Sequence, residues 1–186
     1  MPNHTLLDTI KTTLQKSKVE KLAAIASEDT FSVKDLIDLS FYHDEQIGFR
    51  AAWILENVYT AHQQRFLPYV FYFLEKFPQQ SNLSALRHYV KILAFMTKKN
   101  ATMEIKKTLA GYDTDHLVGV VFTWLIDEKI PVAIKSHCLN ILANLNTKHN
   151  WIREELLQTM DFLIDKESIA FFAKVKQIRK QLAVCS

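Results

Sequence analysis

The sequence predicts an all-α protein, and three observations support this prediction. Apolar residues recur along nearly the whole chain at the spacing of one face of an α-helix. Residues that cap helices stand at the breaks between these apolar runs. Glycine accounts for only 3 of the 186 residues, so the tight turns favoured by β-hairpins lack their usual residue. Together these features indicate helices joined by short connections.

Length and composition favour one globular domain spanning residues 1–186. A chain of this size can bury a core without disulfides or metal, and 48% hydrophobic with 23% charged residues is ordinary for a globular protein. No apolar run approaches the roughly 18 to 20 residues that cross a bilayer, so we expect no membrane partner. Two cysteines and a polar N-terminus without a signal segment favour a cytoplasmic location.

The first 30 residues predict short helices with modest apolar faces. Leu7, Ile10 and Leu14 indicate the first, and the segment 19–26 indicates the second. A third helix is expected to begin after Ser32, because Asp35 stands three residues later and completes a capping box.

A recurring stripe of apolar residues defines the helices that follow. Asp44 is a natural N-cap, and the stripe after it recurs in three further segments. The four stripes are Ile47, Ala51, Ile54 and Val58; Phe66, Val70, Phe73 and Phe77; Leu86, Val90 and Leu93 after Asn82; and Ile134, Cys138, Ile141 and Leu145 after Pro131. Further helices are predicted from Leu117, from Ile152 and from Phe171.

Pairing consecutive helices gives units whose second helices begin near residues 44, 82, 131 and 168. A period of about 37 to 47 residues with two helices and no strand is typical of an α-solenoid. The longer step between residues 82 and 131 holds an extra helix near residues 102–110. Residues 31–183 are therefore predicted to form about four helix pairs of an α–α superhelix.

Two segments carry a resemblance to known repeats. Residues 44–52, DEQIGFRAA, and residues 131–135, PVAIK, are similar to the second helix of HEAT repeats. The second helices can be aligned in two ways. Matching their apolar–basic pairs places Phe49 with Leu86 and Ile134, whereas matching their apolar stripes places Ile47 there, two residues away. We use the stripe, because burial of apolar residues fixes the rotation of a helix more firmly than one exposed cation does. The chain thus resembles the HEAT and armadillo-like families over roughly residues 30–183. The resemblance implies that the second helices line a concave surface.

Residues on the second helices opposite the stripe are the candidate binding site. Because each helical residue turns by 100°, the positions two, six and nine after the first stripe residue share the far face. Across three repeats they are Phe49, Trp53 and Glu56; His88, Ile92 and Phe95; and Ser136, Asn140 and Ala143. We predict a partly aromatic groove that binds a protein or peptide through Phe49, Trp53, His88, Ile92, Phe95, Ser136 and Asn140. The alternative is that these helices are buried on both sides.

The sequence gives little support for catalysis, a cofactor or a metal. No glycine-rich phosphate loop or G-x-S-x-G motif is present. His137 and Cys138 are adjacent on a helix, so their side chains diverge and Cys138 is expected to fill the core. Among seven histidines the nearest cluster is Asp113-x-Asp115-His116, whose place before a helix favours capping over metal binding. We expect a non-catalytic protein.

Nucleic-acid binding or DNA repair is the alternative function. Some HEAT-like proteins are DNA glycosylases with Trp and Asp on a basic face, and Trp124 with Asp127 is the nearby pair here. Trp124 belongs to an apolar stripe, however, which favours a core role. The basic residues cluster at Lys98, Lys99, Lys106 and Lys107, and at Lys174, Lys176, Arg179 and Lys180. A net charge of only +3 makes a nucleic-acid partner the less favoured interpretation.

Overall fold

The computed structural model describes residues 4–12, 14–26 and 31–184, which form α-helices and contain no β-strand. The helices of these ranges are α1 (His4–Ile10), α2 (Lys16–Ile25), α3 (Val33–Leu39), α4 (Glu45–Ala61), α5 (Gln63–Phe66), α6 (Val70–Lys76), α7 (Leu83–Met96), α8 (Met103–Ala110), α9 (Asp115–Ile126), α10 (Val132–Leu145), α11 (Ile152–Ile164) and α12 (Ile169–Val184). The all-α prediction is confirmed.

The predicted caps hold the helix starts. The hydroxyl of Ser32 accepts from the backbone N–H of Asp35, whose carboxylate accepts in return from the backbone N–H of Ser32. The carboxylate of Asp44 accepts from the first turn of α4, and the side-chain oxygen of Asn82 accepts from the first turn of α7. Each cap satisfies backbone donors that have no partner inside the helix, so the local sequence fixes where these helices begin.

The segment from residue 63 to residue 79 is less regular than its apolar stripe predicts. α5 and α6 are separated by a 3₁₀ turn at Leu67–Tyr69, and a second such turn, Phe77–Gln79, follows α6. Each turn contains a proline, Pro68 or Pro78, and proline has no backbone N–H to continue the helical ladder. The stripe Phe66, Val70, Phe73 and Phe77 is nevertheless fully buried.

The chain forms two compact units, residues 1–92 and 93–186, and the boundary lies within α7. In the first unit, α1, α2 and α3 pack against α4. In the second unit, α9, α11 and α12 pack against α10. The prediction that residues 1–186 are one repeat domain stays a prediction.

In the first unit, α4 buries two adjacent stripes rather than one. The predicted stripe that starts at Ile47 is buried, and so is the neighbouring stripe of Gly48, Ala52, Leu55 and Tyr59. Three helices packed on α4 explain the second stripe, because each of them covers part of the α4 circumference. The face left over is narrow and carries Phe49 and Trp53.

A polar network ties the end of α3 to the beginnings of α4 and α7. The hydroxyl of Ser40 donates to the carbonyl of Ile37 and lies 2.6 Å from the hydroxyl of Tyr89. The Ser40 hydroxyl already donates its one hydrogen to Ile37, so in the second hydrogen bond the Tyr89 hydroxyl is the donor. Burial raises the pKa of Tyr89, so its hydroxyl stays protonated. Gln80 donates to the carbonyl of Ser40, and Asn82 donates to the carbonyl of Glu45.

The core of the second unit contains a buried ion pair. The ammonium of Lys135 on α10 donates to the carboxylate of Glu167, which lies in the connection between α11 and α12. The Lys135 side chain is 1% exposed and that of Glu167 is 17% exposed. The pair therefore fixes this connection against α10, and its lysine depends on one partner for charge compensation.

Gly48 provides the first test of the fold. A Cβ added there would lie 2.9 Å from the carbonyl oxygen of Ser40 and 3.0 Å from the side-chain nitrogen of Asn82. We expect Gly48→Ala to lower the free energy of unfolding by about 1–3 kcal/mol through overpacking. The matched control is Gly119→Ala on α9, where no described heavy atom beyond its own helix lies within 4 Å. That change is expected to stabilise by about 0.5–1 kcal/mol. Urea unfolding measures both, and equal effects would contradict the close approach at Gly48.

The buried ion pair provides the second test. Glu167→Gln leaves the Lys135 ammonium buried without its carboxylate, and we expect a loss of about 3 kcal/mol in the free energy of unfolding. Lys135→Met should cost less, because the remaining Glu167 still reaches water. The double variant should recover much of the loss seen in Glu167→Gln. Additive losses in chemical denaturation would show that the two charges do not interact.

Candidate functional site

Three of the predicted site residues meet on the surface of the first unit. Phe49 and Trp53 lie on α4, and His88 lies on α7. The rings of Phe49 and Trp53 are stacked, with centroids 5.9 Å apart, and the imidazole of His88 lies 5.4 Å from the Phe49 ring. All three side chains are half-buried. We call this group the aromatic cluster.

A buried carboxylate beside the aromatic cluster orients His88. Nδ1 of His88 lies 2.6 Å from one oxygen of Glu56, and the ammonium of Lys91 lies 2.5 Å from the other oxygen. Burial alone would raise the pKa of Glu56, but hydrogen bonds from His88 and Lys91 together hold that pKa below its usual value. The carboxylate is therefore charged at neutral pH and can only accept, so Nδ1–H of His88 is the donor.

The arrangement gives the aromatic cluster a fixed shape. Glu56 and Lys91 were not among the predicted site residues, although Glu56 stands in the same far-face column as Trp53. The signal that could have found the pair is the combination of an acid on that face of α4 with His88 and Lys91 one turn apart on α7. The result is two stacked rings, an imidazole oriented by the hydrogen bond from its Nδ1–H to Glu56, and a carboxylate paired with the ammonium of Lys91.

Ile92 does not share this surface. Its side chain is 0% exposed, so the expectation that it lines an open groove is wrong for the described fold. The reason is that α7 buries apolar residues on several sides: Ala85, Leu86, Tyr89 and Val90 are buried as well as Ile92. Periodicity on a single helix cannot show how many neighbours that helix has.

The remaining predicted residues belong to the second unit. Phe95 is half-buried, and the ammonium of Lys98 lies 4.3 Å from the centre of its ring, a cation–π contact. Ser136 and Asn140 are half-buried on α10, whereas Ala143, the last member of that column, is buried.

The candidate chemical groups are used structurally. Cys138 is fully buried, and burial raises the pKa of its thiol to about 12. The carboxylate of Asp113 accepts from the backbone N–H of Asp115 at the start of α9, as the capping interpretation predicts. Asp115 in turn lies 2.9 Å from Nδ1 of His149. Among the described residues, no three side chains of His, Cys, Asp or Glu are grouped so that they could hold a metal ion.

The pair suggested for DNA repair, Trp124 and Asp127, lies at the C-terminal end of α9. Trp124 is half-buried rather than in the core, which corrects the expectation drawn from its stripe. The buried residues of α9 are Leu117, Val118, Val121 and Leu125, so the buried face of the helix continues through Leu125 and not through Trp124. The carboxylate of Asp127 accepts from the backbone N–H of Lys129 and so closes the turn after α9.

Within the part of the chain that is described, no helix combines the length and the apolar character needed to cross a membrane.

One comparison with known proteins identifies a family. The model of a HEAT repeat domain family matches residues 6–182, which is nearly the whole chain. The chain matches none of the curated proteins.

The buried thiol can be tested directly. In a Cys185→Ser variant, which removes the cysteine outside the described residues, Cys138 is the remaining thiol. With a pKa of about 12, roughly one thiol in ten thousand is ionised at pH 8, and the site is closed to bulky reagents. We therefore expect no reaction with a disulfide reagent in the native protein and one thiol per chain after unfolding in denaturant. Native reactivity at the rate of a free cysteine would contradict the assignment.

Proposed function

Because the chain belongs to the HEAT repeat domain family, we propose that it is a non-catalytic interaction module that binds a protein or peptide partner. Proteins of this family generally mediate protein interactions. We place the central contact at the aromatic cluster formed by Phe49, Trp53 and His88.

The observation that supports this proposal is that the aromatic cluster is accessible and ordered at the same time. Phe49 and Trp53 are stacked on each other, and His88 is held by the charged carboxylate of Glu56. Large rings with few rotatable bonds lose little entropy when a partner covers them, and such side chains dominate the energy of many interfaces. The part of each ring that remains exposed offers apolar area to a partner.

The predicted site residues of the second unit, Phe95, Ser136 and Asn140, are half-buried, and we propose them as further contacts on that unit. Ile92 is left out because its side chain has no exposed surface.

We further propose a cytoplasmic location, which the low cysteine content of the sequence supports.

A protein partner fits the aromatic cluster better than a nucleic acid does. The cation beside the cluster, Lys91, already lies against the carboxylate of Glu56. A surface that binds phosphates would present cations free of such internal partners. The charge of the cluster is therefore balanced, and its rings are the groups left for recognition.

Trp53→Ala tests the proposal. We expect the variant to lose partners that the unchanged protein captures, because the largest anchor is gone, while the free energy of unfolding stays within about 1 kcal/mol. Affinity capture from native lysate, followed by mass spectrometry, identifies the retained proteins. Phe71→Ala is the matched control, since Phe71 is an aromatic residue of the same unit, 50% exposed, outside the aromatic cluster.

Two outcomes would contradict the proposal. A destabilisation of about 3 kcal/mol or more in Trp53→Ala would assign Trp53 to the core. Retention of the same proteins by Trp53→Ala and by the unchanged protein would move the contact elsewhere, and recovery of nucleic acid as the principal captured species would favour the other functional class.

A further inference from the structure

The second unit contains a cavity of about 910 Å³ between the C-terminal end of α7, α8, the end of α10 and α12. Its volume lies in the range of about 300–1,000 Å³ typical of pockets that bind small molecules. Five lysines line it: Lys98, Lys99, Lys106, Lys148 and Lys180. They come from four separate stretches of the chain, so the cavity appears only in the folded protein. We call it the lysine cavity.

The charge of the lysine cavity is not balanced from within. No aspartate or glutamate lines it, and among the described residues none of the five lysines forms a salt bridge with a carboxylate. Six other cations of the described residues do pair with acids, among them Lys34 with Asp38, Lys91 with Glu56 and Arg179 with Asp161. The five lysines of the cavity are not among these pairs, so no carboxylate of the described residues competes with an anion for them.

The crowding of positive charge extends just beyond the cavity. Burial lowers the pKa of the Lys174 ammonium on α12, and the nearby charge of Lys98 lowers that pKa further. Like charges brought together in this way repel one another, which disfavours the folded state unless an anion is present. An anion that enters the cavity therefore gains from every ammonium around it.

The walls of the lysine cavity are held in place by internal contacts. Asn144 donates to the hydroxyl of Thr97 and accepts from the side-chain amide of Gln181, which joins α10 to α12. Lys148 donates to the carbonyls of Leu109 and Tyr112 and so holds the end of α8. A binding site whose walls are already ordered loses less free energy on binding than one that must form.

Part of the lining is apolar. Met96, Leu109 and Leu145 contribute to the wall between the lysines, and the methylene stems of the lysines add to it. The lysine cavity thus presents an apolar wall with ammonium groups around it. This combination suits a molecule that carries charge at one end and an apolar or aromatic body at the other.

We propose that the lysine cavity binds a small organic phosphate, a molecule with an apolar or aromatic body and two or more negative charges. No arginine lines the cavity, so the planar fork that pairs best with a carboxylate is missing. Lysine ammonium groups are compact charges that approach a tetrahedral phosphate from several directions. The site is separate from the aromatic cluster, and the proposal stands independently of the protein partner.

The probe for this proposal is ATP without magnesium, with adenosine as the uncharged comparison. Isothermal titration calorimetry at low and at moderate salt should detect ATP binding that weakens with salt, and adenosine should bind at least about tenfold more weakly. Binding should also raise the unfolding temperature of the full chain in proportion to the logarithm of the ATP concentration.

Matched charge reversals locate the site. Lys106→Glu and Lys180→Glu replace lysines that line the cavity, whereas Lys107→Glu and Lys176→Glu make the same change at exposed positions of the same helices outside it. The first two variants should weaken ATP binding by about tenfold or more and the second two by less than about threefold. Lys106 and Lys180 are exposed and share the cavity lining with three other lysines, so the cavity variants should unfold at the same temperature as the parent or above it. A thermal unfolding curve checks that they are folded.

Three results would overturn the proposal. The first is ATP binding that is no tighter than adenosine binding, or no detectable ATP binding at millimolar concentration. The second is an equal loss for Lys106→Glu and Lys107→Glu, which would indicate general attraction by surface charge. The third is displacement of ATP by a short DNA duplex whose own binding is weakened equally by all four variants, since a broad basic surface for nucleic acid would then explain the data.

Discussion

The first unit depends on how the end of α3 meets the beginnings of α4 and α7. Ser40 is buried at this junction, where its hydroxyl accepts a hydrogen bond from the hydroxyl of Tyr89 and its carbonyl accepts one from the side-chain amide of Gln80. Gly48 lies so close to the Ser40 carbonyl that even a methyl group would collide with it. A backbone carbonyl can be buried without a large cost only if it accepts a hydrogen bond, and Gln80 supplies that bond to Ser40. The close packing of Gly48 on the Ser40 carbonyl therefore depends on this hydrogen bond. The positions of Phe49 and His88 follow from this junction, because they lie on the two helices that it joins.

The helices themselves could be predicted because their signals are local. A stripe at helical spacing and a capping residue act within one or two turns, and Asp44, Asn82 and the capping box at Ser32 behave as their types suggest. The starts of α4, α7, α10 and α12 accordingly lie within a residue or two of the expected positions. The sequence also predicts that the helix ends at Pro78, whereas the regular stripe across Pro68 concealed the 3₁₀ turn at Leu67–Tyr69.

The surfaces were harder to predict, because exposure depends on neighbours from distant parts of the chain. Ile92 and Trp53 occupy equivalent places in the repeat pattern, yet one is buried and the other half-exposed, since different numbers of helices surround them. The pairing of Glu56 with His88 and Lys91 joins residues more than thirty positions apart. The lysine cavity likewise draws on four stretches of the chain. A single sequence shows the lysines as separate solvated positions, three of them in connections between helices, and only packing brings all five around one space.

The two prolines between α5 and the start of α7 also bear on the order of folding. They divide this stretch into pieces of four and seven helical residues, and isolated helices shorter than about 12 residues are rarely stable in water. α5 and α6 therefore cannot persist ahead of the tertiary structure. They acquire their shape together with the packing of Phe66, Phe73 and Tyr89. In this region the helices are expected to form only when the aromatic core packs. By contrast, α4 and α7 have 17 and 14 residues and are long enough to be transiently helical before that packing occurs.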